Sequence, residues 1–363
     1  MTKIIGLYAV TVGLLFTLQA FQFVEQDVVL YYGKDSFLIE GTEIAESLKE
    51  NPYDRLPASY KDLVRPPVWD LSKSSAGISI RFVTNSSQVA VKWGVRKGAT
   101  MNHMPATGIR GVDLYVKHNN EWRFVNTAIP GDSITEKTLI SEMTPELREF
   151  KIFLPLYDGV TFLEVGVDKK STFTKPTPNT KKPIVFYGTS ITQGGCASRP
   201  GMAHTNIISR KLDRNCINFG FSGNGRMEEP ITELISTIDA EVFIIECLQN
   251  MKADMVRERV LPTVKILRKQ HPNTPIIFVE TTIYENAFLN KTLDNELKEK
   301  NVILKNELDK AKKAGFKNIY LISALYATGE DHEGTVDGVH FTDLGFIRYA
   351  DYLMKELKKR GVR

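Results

Sequence analysis

The first chemistry this sequence offers is a serine hydroxyl at the end of an apolar run. Pro183-Ile184-Val185-Phe186-Tyr187 has the length of a strand, Gly188-Thr189-Ser190 interrupts it, and Gly194-Gly195-Cys196 leads on toward a helical pattern. Ser190 thus falls at the carboxyl end of a buried strand, the edge at which open α/β sheets gather their ligands. Gly188 lets the backbone turn sharply and lift the hydroxyl out of the sheet. Taken alone, Gly-x-Ser is common in loops, and such a serine can equally cap a helix. Three further stretches stand where other strands should end. They are Asn218-Phe219-Gly220-Phe221-Ser222-Gly223-Asn224-Gly225, Glu246-Cys247-Leu248-Gln249-Asn250-Met251 and, ahead of the final helix, Asp337-Gly338-Val339-His340.

The elements that must position these stretches are legible from Pro183 onward. Strand-like runs at Ile184–Tyr187, Cys216–Phe219, Val242–Glu246, Ile276–Val279 and Asn318–Ile322 alternate with helical stretches such as Met255–Lys269, Leu293–Ala314 and Leu344–Lys359. Such alternation marks a parallel sheet with crossover helices. The expected fold is a three-layer, flavodoxin-like α/β domain over 183–363.

Together the four stretches resemble the SGNH (GDSL-type) hydrolase family, whose blocks supply a Ser, a Gly, an Asn and a His in that chain order. The resemblance covers about Pro183–Lys359. It implies that Ser190 is the nucleophile, His340 the base that takes its proton, and Asp337 the group that holds the imidazole in the useful tautomer. It further implies that the backbone N–H groups of Ser190 and Gly223 and the side-chain amide of Asn250 receive the oxyanion. Two positions depart from the family pattern. Thr189 stands where an Asp is usual, and Cys247-Leu248-Gln249-Asn250 replaces Gly-x-Asn-Asp. Substrate class is therefore not to be copied from the commonest lipolytic members.

Between about Asp27 and Lys170 the apolar period is two, as in Ile78–Val83, Val89–Trp93, Val112–Val116, Trp122–Val125, Phe150–Leu154 and Thr161–Val165. Many short strands predict a β-sandwich or jelly roll over 27–170. His118-Asn119-Asn120 and Asp158-Gly159 are expected turns, and a short helix is expected at Thr42–Glu50. A Pro/Thr/Lys-rich linker is expected over 171–182. Gly111-Val112-Asp113-Leu114-Tyr115 matches the Gly-x-Asp-Leu-Tyr motif of a domain found in front of such hydrolases, and it could also serve as a strand entry. Within this half, Lys97-Gly98-Ala99-Thr100-Met101-Asn102-His103-Met104-Pro105 is longer than a minimal connection. Asn102 and His103 could bond sugar hydroxyls, and Met101 and Met104 could give adaptable apolar contact.

Composition limits the alternatives. The chain has 363 residues, long for a single core, with 42% hydrophobic and 25% charged residues. Its net charge of +4, from 47 basic and 43 acidic residues without a like-charge block, is no nucleic-acid footprint. Lys3 and the apolar run Ile4–Ala20 read as an export signal over 1–20, although Leu18 fits a cleavage site poorly and an uncleaved membrane anchor stays open. Cys196, Cys216 and Cys247 have no Cys-x-x-Cys spacing and are expected as small buried hydrophobes, with one bridge left open. Asp337 and His340 are only two ligands, and none of the six histidines forms a His-x-x-x-His pair, so neither a metal nor any other cofactor is expected. His332, in an acidic loop, is expected at the surface. The resulting expectation is an exported serine esterase acting on acetyl or other short acyl esters of carbohydrate. The alternatives are a lipolytic or thioester hydrolase, or a glycan-binding protein with an inactive hydrolase domain.

Overall fold

The computed structural model describes residues 28–282 and 284–362; the expected signal segment, 1–20, lies outside the described residues. The N-terminal half contains β1 (Val29–Tyr32), β2 (Leu38–Glu40), α1 (Pro66–Ser72), β3 (Ser79–Thr84), β4 (Val89–Val95) and α2 (Ala106–Arg110). It continues with β5 (Val112–His118), β6 (Glu121–Ala128), β7 (Ile134–Ile140), β8 (Arg148–Phe153), β9 (Val160–Asp168) and β10 (Phe173–Thr174). Two antiparallel sheets result, ordered β1-β9-β4-β7 and β10-β3-β8-β5-β6, with β2 beside β3. Alternation sends every second side chain into one shared core, including Ile80 and Phe82 from one sheet and Val89, Val91, Trp93 and Val165 from the other.

The β5–β6 hairpin turns at Asn119 and Asn120, whose φ values of 50° and 63° are those a two-residue hairpin turn requires. Asp158-Gly159 does not close a hairpin. β8 pairs with β3 and β5 whereas β9 pairs with β1 and β4, so the chain crosses between sheets there. The expected helix at Thr42–Glu50 is reduced to a single 3₁₀ turn, Glu46–Leu48, and the helix of this region is α1, opened by Pro66 and Pro67. The first residues of the expected linker belong to the sheet. β10 pairs with β3, and Phe173 stacks on Tyr32 and Phe82 at 4.3 and 5.1 Å.

The C-terminal half follows the expected alternation. Its strands are β11 (Ile184–Gly188), β12 (Cys216–Gly220), β13 (Val242–Glu246), β14 (Ile276–Val279) and β15 (Ile319–Ile322). Its helices are α3 (Ser190–Gln193), α4 (His204–Leu212), α5 (Glu229–Ser236), α6 (Ala253–Gln270), α7 (Lys291–Lys313) and α8 (Asp343–Lys359). All strands are parallel, in the order β12-β11-β13-β14-β15, a doubly wound arrangement. Val185 and Tyr187 pack with Ile235, Val260 and Leu304 of α5, α6 and α7, while Ile184 and Phe186 pack with Ile208 and Leu353 of α4 and α8. Both faces of the sheet are therefore buried, which is why its strands read as unbroken apolar runs. No helix among the described residues is long and apolar enough to cross a membrane.

The halves are docked through the Gly111–Tyr115 motif, which does more than enter a strand. Asp113 is fully buried, and its carboxylate accepts from Arg199 Nη1 and the Gly201 backbone N–H, both at 2.8 Å, and from Thr127 Oγ1 at 2.8 Å. Burial pushes this carboxyl above its ordinary range, and the Arg199 charge draws it only part of the way back. Arg199 also donates to the Tyr115 hydroxyl at 2.5 Å and lies over the Phe124 ring at 3.8 Å.

Candidate active site

Ser190, His340 and Asp337 meet at the carboxyl end of the parallel sheet. The apolar β11 stops at Gly188, Thr189 takes the position before the helix, and Ser190 opens α3. The serine is not the cap. Its Oγ lies 2.8 Å from His340 Nε2, and 8% of the residue is open to solvent. On the other side of the ring, His340 Nδ1 lies 2.7 Å from Asp337 Oδ2. Because a carboxylate only accepts, that contact places the ring proton on Nδ1 and leaves Nε2 free to accept the serine proton. Asp337 Oδ1 accepts the backbone N–H groups of His340 and Val339 at 2.8 and 3.1 Å. Burial works against the Asp337 charge, but the backbone and side chain of His340 outweigh it, and the carboxyl lies below its ordinary range. The loop is closed behind them by Val336 N–H donating to the His340 carbonyl at 2.7 Å.

Two neighbouring strand ends complete the mouth. Gly223 has φ of +67°, a left-handed conformation that favours glycine, and no atom lies within 4 Å of where its Cβ would be. Gly225 must approach the first block closely, since a Cβ there would overlap the Gly188 carbonyl oxygen. Asn250 ends the 3₁₀ turn after β13; its Oδ1 accepts from Gly225 N at 3.3 Å, which leaves Nδ2 to donate elsewhere. The 220–228 loop is clamped from the N-terminal half by two arginines that sequence reasoning did not single out. Buried Arg55 donates to the Asn218 and Gly220 carbonyls at 3.1 and 2.6 Å, and Arg65 donates to Asn224 Oδ1 and Glu228 Oε1 at 2.8 and 2.5 Å.

Beneath the serine, buried Glu246 accepts from Thr192, Tyr349 and His204 Nε2 at 2.8, 2.6 and 3.2 Å. Burial opposes its charge, but His204 and the two hydroxyl donors outweigh it and hold the carboxyl below its ordinary range. A charged residue closing an otherwise apolar strand was the sequence signal for it. Thr189 makes no such link, since its buried hydroxyl finds no hydrogen-bond partner among the described residues.

The 97–105 loop of the N-terminal half reaches this site. Its base is fixed by Asp158, whose carboxylate accepts the backbone N–H groups of Lys97 and Ala99 at 3.1 and 2.9 Å. A bridge between Met101 and Met104 leaves Asn102 and His103 at the tip. The His103 ring lies 5.8 Å from that of His340, and His103 Nδ1 lies 2.9 Å from Asn102 Oδ1. Met104 is not available for substrate contact. It is 4% exposed and packs in the C-terminal core with Leu156, Ile191 and Ala197, where it anchors the loop. His332 is elsewhere, exposed, with Nδ1 2.9 Å from Glu285 Oε2.

A serine hydroxyl hydrogen-bonded to a neutral imidazole that is held by a carboxylate can attack an acyl carbon and pass its proton to the ring. Cys196 is close by but does not compete for that role. Burial, and next the Asp337 charge, push its thiol up to about 12. All three cysteines are free and buried, and none is bridged.

A profile of the GDSL-like lipase/acylhydrolase family matches residues 181–358, and one for the GxDLY N-terminus of SGNH-hydrolase-type esterases matches 30–173. Among solved structures, a Bacteroides ovatus protein described as a GDSL-like lipase is 36% identical, with a TM-score of 0.87 over 92% of this chain and 98% of that one. A salicylyl-acyltransferase from a tetracycline biosynthetic pathway is similar in fold at 16% identity and a TM-score of 0.74, covering 93% of this chain and 99% of its own. An acetyl xylan esterase from the rumen bacterium Butyrivibrio proteoclasticus is similar in fold at 12% identity and a TM-score of 0.58, covering 91% and 99%. No curated protein matches the sequence.

Proposed function

We infer that this chain, which belongs to the GDSL-like lipase/acylhydrolase family and is an SGNH-type ester hydrolase, removes acetyl or other short acyl groups from carbohydrate outside the cytoplasm. In this reading Ser190 attacks the ester carbonyl and His340 Nε2 takes its proton. The tetrahedral oxyanion is received by the N–H groups of Ser190 and Gly223 and by Asn250 Nδ2. Collapse expels the sugar hydroxyl, protonated by His340, and leaves an acetyl-serine. Water, deprotonated by the same imidazole, then releases acetate. Each oxyanion donor contributes about 3 kcal/mol. Export rests on the N-terminal apolar run alone.

The observation that carries the reading is the unbroken line from Ser190 through His340 to Asp337, with the polar tip Asn102-His103 beside it. An acyl group of acetyl size leaves most of a sugar outside the sheet edge, where hydroxyls need polar partners. The fold shared with carbohydrate esterases adds nothing about substrate; the choice of sugar rests on these side chains.

Hydrolysis of p-nitrophenyl esters from acetate to octanoate tests the acyl size, with kcat/KM expected to fall roughly tenfold or more along the series. A second reading is hydrolysis of longer acyl esters; the cavity of about 470 Å³ beyond β14 and β15 would have to take the chain, although it is lined by Glu280, Asp294 and Lys298 as well as Ala287, Phe288, Leu297 and Leu325, and by none of the five proposed catalytic residues. A rate that rises with chain length would select it. The leaving-group side is tested separately. The double variant Asn102→Ala/His103→Ala is expected to lower kcat/KM on an acetylated oligosaccharide by roughly tenfold or more, the worth of two hydrogen bonds. Its rate on p-nitrophenyl acetate should stay near wild type. Unchanged rates on both substrates in a folded variant would make the loop structural.

A further inference from the structure

Folding adds two side chains to the Asp337–His340 pair that the sequence alone could not bring together. The Cys196 sulfur, one nitrogen each from His103 and His340, and one Asp337 oxygen all lie within 4.8 Å of one another. They come from three separate places: the 97–105 loop, the turn after α3, and the loop ahead of α8. Gly195, next to Cys196, lies against the imidazole, with its Cβ position 3.3 Å from His340 Cδ2. Cys196 itself is 5% exposed, in the left-handed region at φ of 73°, and without a disulfide.

We propose that these four side chains bind a zinc-class divalent cation and that its occupancy reversibly shuts off ester hydrolysis. One thiolate, two imidazoles and one carboxylate form a donor set suited to tetrahedral zinc. Bonds of about 2.0–2.3 Å put neighbouring ligand atoms of such a site about 3.5 Å apart, so the donors must close in by roughly 1 Å. His103 at a loop tip and half-exposed Asp337 have the freedom to do so. Magnesium and calcium prefer all-oxygen sites and gain nothing from a thiolate. On binding, the Cys196 proton leaves to solvent and the sulfur becomes a ligand. If His340 binds through Nε2, the metal occupies the lone pair that must receive the serine proton; if it binds through Nδ1, the proton held there moves to Nε2, which can then no longer accept from Ser190. The reaction stops in both arrangements, and chelation restores it because no covalent bond has formed.

The test uses the full chain after treatment with a chelator. Zinc, held at defined free concentrations, is expected to inhibit p-nitrophenyl acetate hydrolysis in the micromolar range, while magnesium and calcium at millimolar concentration leave it unchanged. A chelator should return the full rate. Cys196→Ser, with its own metal-free rate as reference, should raise the zinc concentration for half-inhibition by at least about tenfold. Inhibition rests on the esterase reading, so a second readout stands apart from it. Cobalt(II) should give a near-ultraviolet thiolate charge-transfer band in wild type that is absent from folded Cys196→Ser. The same zinc sensitivity in wild type and Cys196→Ser, or a cobalt complex without the thiolate band, would overturn the proposal. A cobalt band in a protein without esterase activity would leave the metal site standing and remove the esterase reading instead.

Discussion

Ser190→Ala is expected to abolish covalent labelling by a fluorophosphonate probe and to lower kcat on p-nitrophenyl acetate by a factor on the order of 10⁴ to 10⁶. The variant removes one oxygen, whose partner is His340 Nε2 at 2.8 Å. It leaves the backbone N–H of residue 190 where it is, so that oxyanion donor survives. The fold should survive too. The position before α3 belongs to Thr189, so no helix cap is lost, and no other side-chain bond is made by the Ser190 hydroxyl among the described residues. Thermal stability should therefore change by no more than about 0.5 kcal/mol. Equal labelling of wild type and variant would show that the nucleophile is another residue.

What the sequence makes legible here is what depends on neighbours along the chain. β11 and β13 are apolar on both faces because helices cover both sides of the sheet, and an unbroken run such as Ile184–Tyr187 records that directly. The ends of β11, β12 and β13 carry the first three functional blocks for the same local reason. Contacts across the chain are less visible. Asp158-Gly159 has the composition of a turn, but the Asp158 carboxylate is committed to Lys97 and Ala99, about sixty residues away in sequence. Met104 looks like an adaptable surface side chain and is a core anchor, because its partners Ile191 and Ala197 come from the other half. Arg55 is one unremarkable arginine in the sequence, yet in the fold it holds the Gly220 carbonyl just ahead of the Gly223 turn.

The same dependence on distant contacts ties the N-terminal half to the candidate site. Asp113 fixes Arg199 and Gly201, Thr107 donates to the Ser198 carbonyl at 2.6 Å, and Ser198 N–H donates to Asp343 at the start of α8 at 2.9 Å. Residues 196–201 therefore connect the GxDLY motif on one side with the histidine loop on the other. Separating the halves would loosen the serine turn and the histidine loop together, as well as removing the Asn102-His103 tip.

Replacing His340 with alanine is expected to cost about as much as losing the serine, on the order of 10⁵ in kcat, because among the described residues no other side chain is hydrogen-bonded to Ser190 Oγ to take its proton. Asp337→Asn is the more informative variant. Asp337 Oδ1 already accepts two backbone N–H groups, so an asparagine keeps its carbonyl oxygen there and turns its NH₂ toward His340 Nδ1. Two donors cannot share that contact. The imidazole must give up the Nδ1 proton and carry it on Nε2, where it points at Ser190 Oγ and can no longer accept. A loss on the order of 10⁴ follows from the wrong tautomer alone. Asp337→Ala removes the orienting charge but imposes no tautomer, so it should be no more damaging than Asp337→Asn, although it deletes more of the side chain. His332→Ala, whose ring touches Glu285 at the surface, should keep the wild-type rate. Measured kcat values in the order His340→Ala lowest, then Asp337→Asn, then Asp337→Ala, with His332→Ala unaffected, would support this assignment. Near wild-type turnover in His340→Ala alongside a loss in His332→Ala would reverse it.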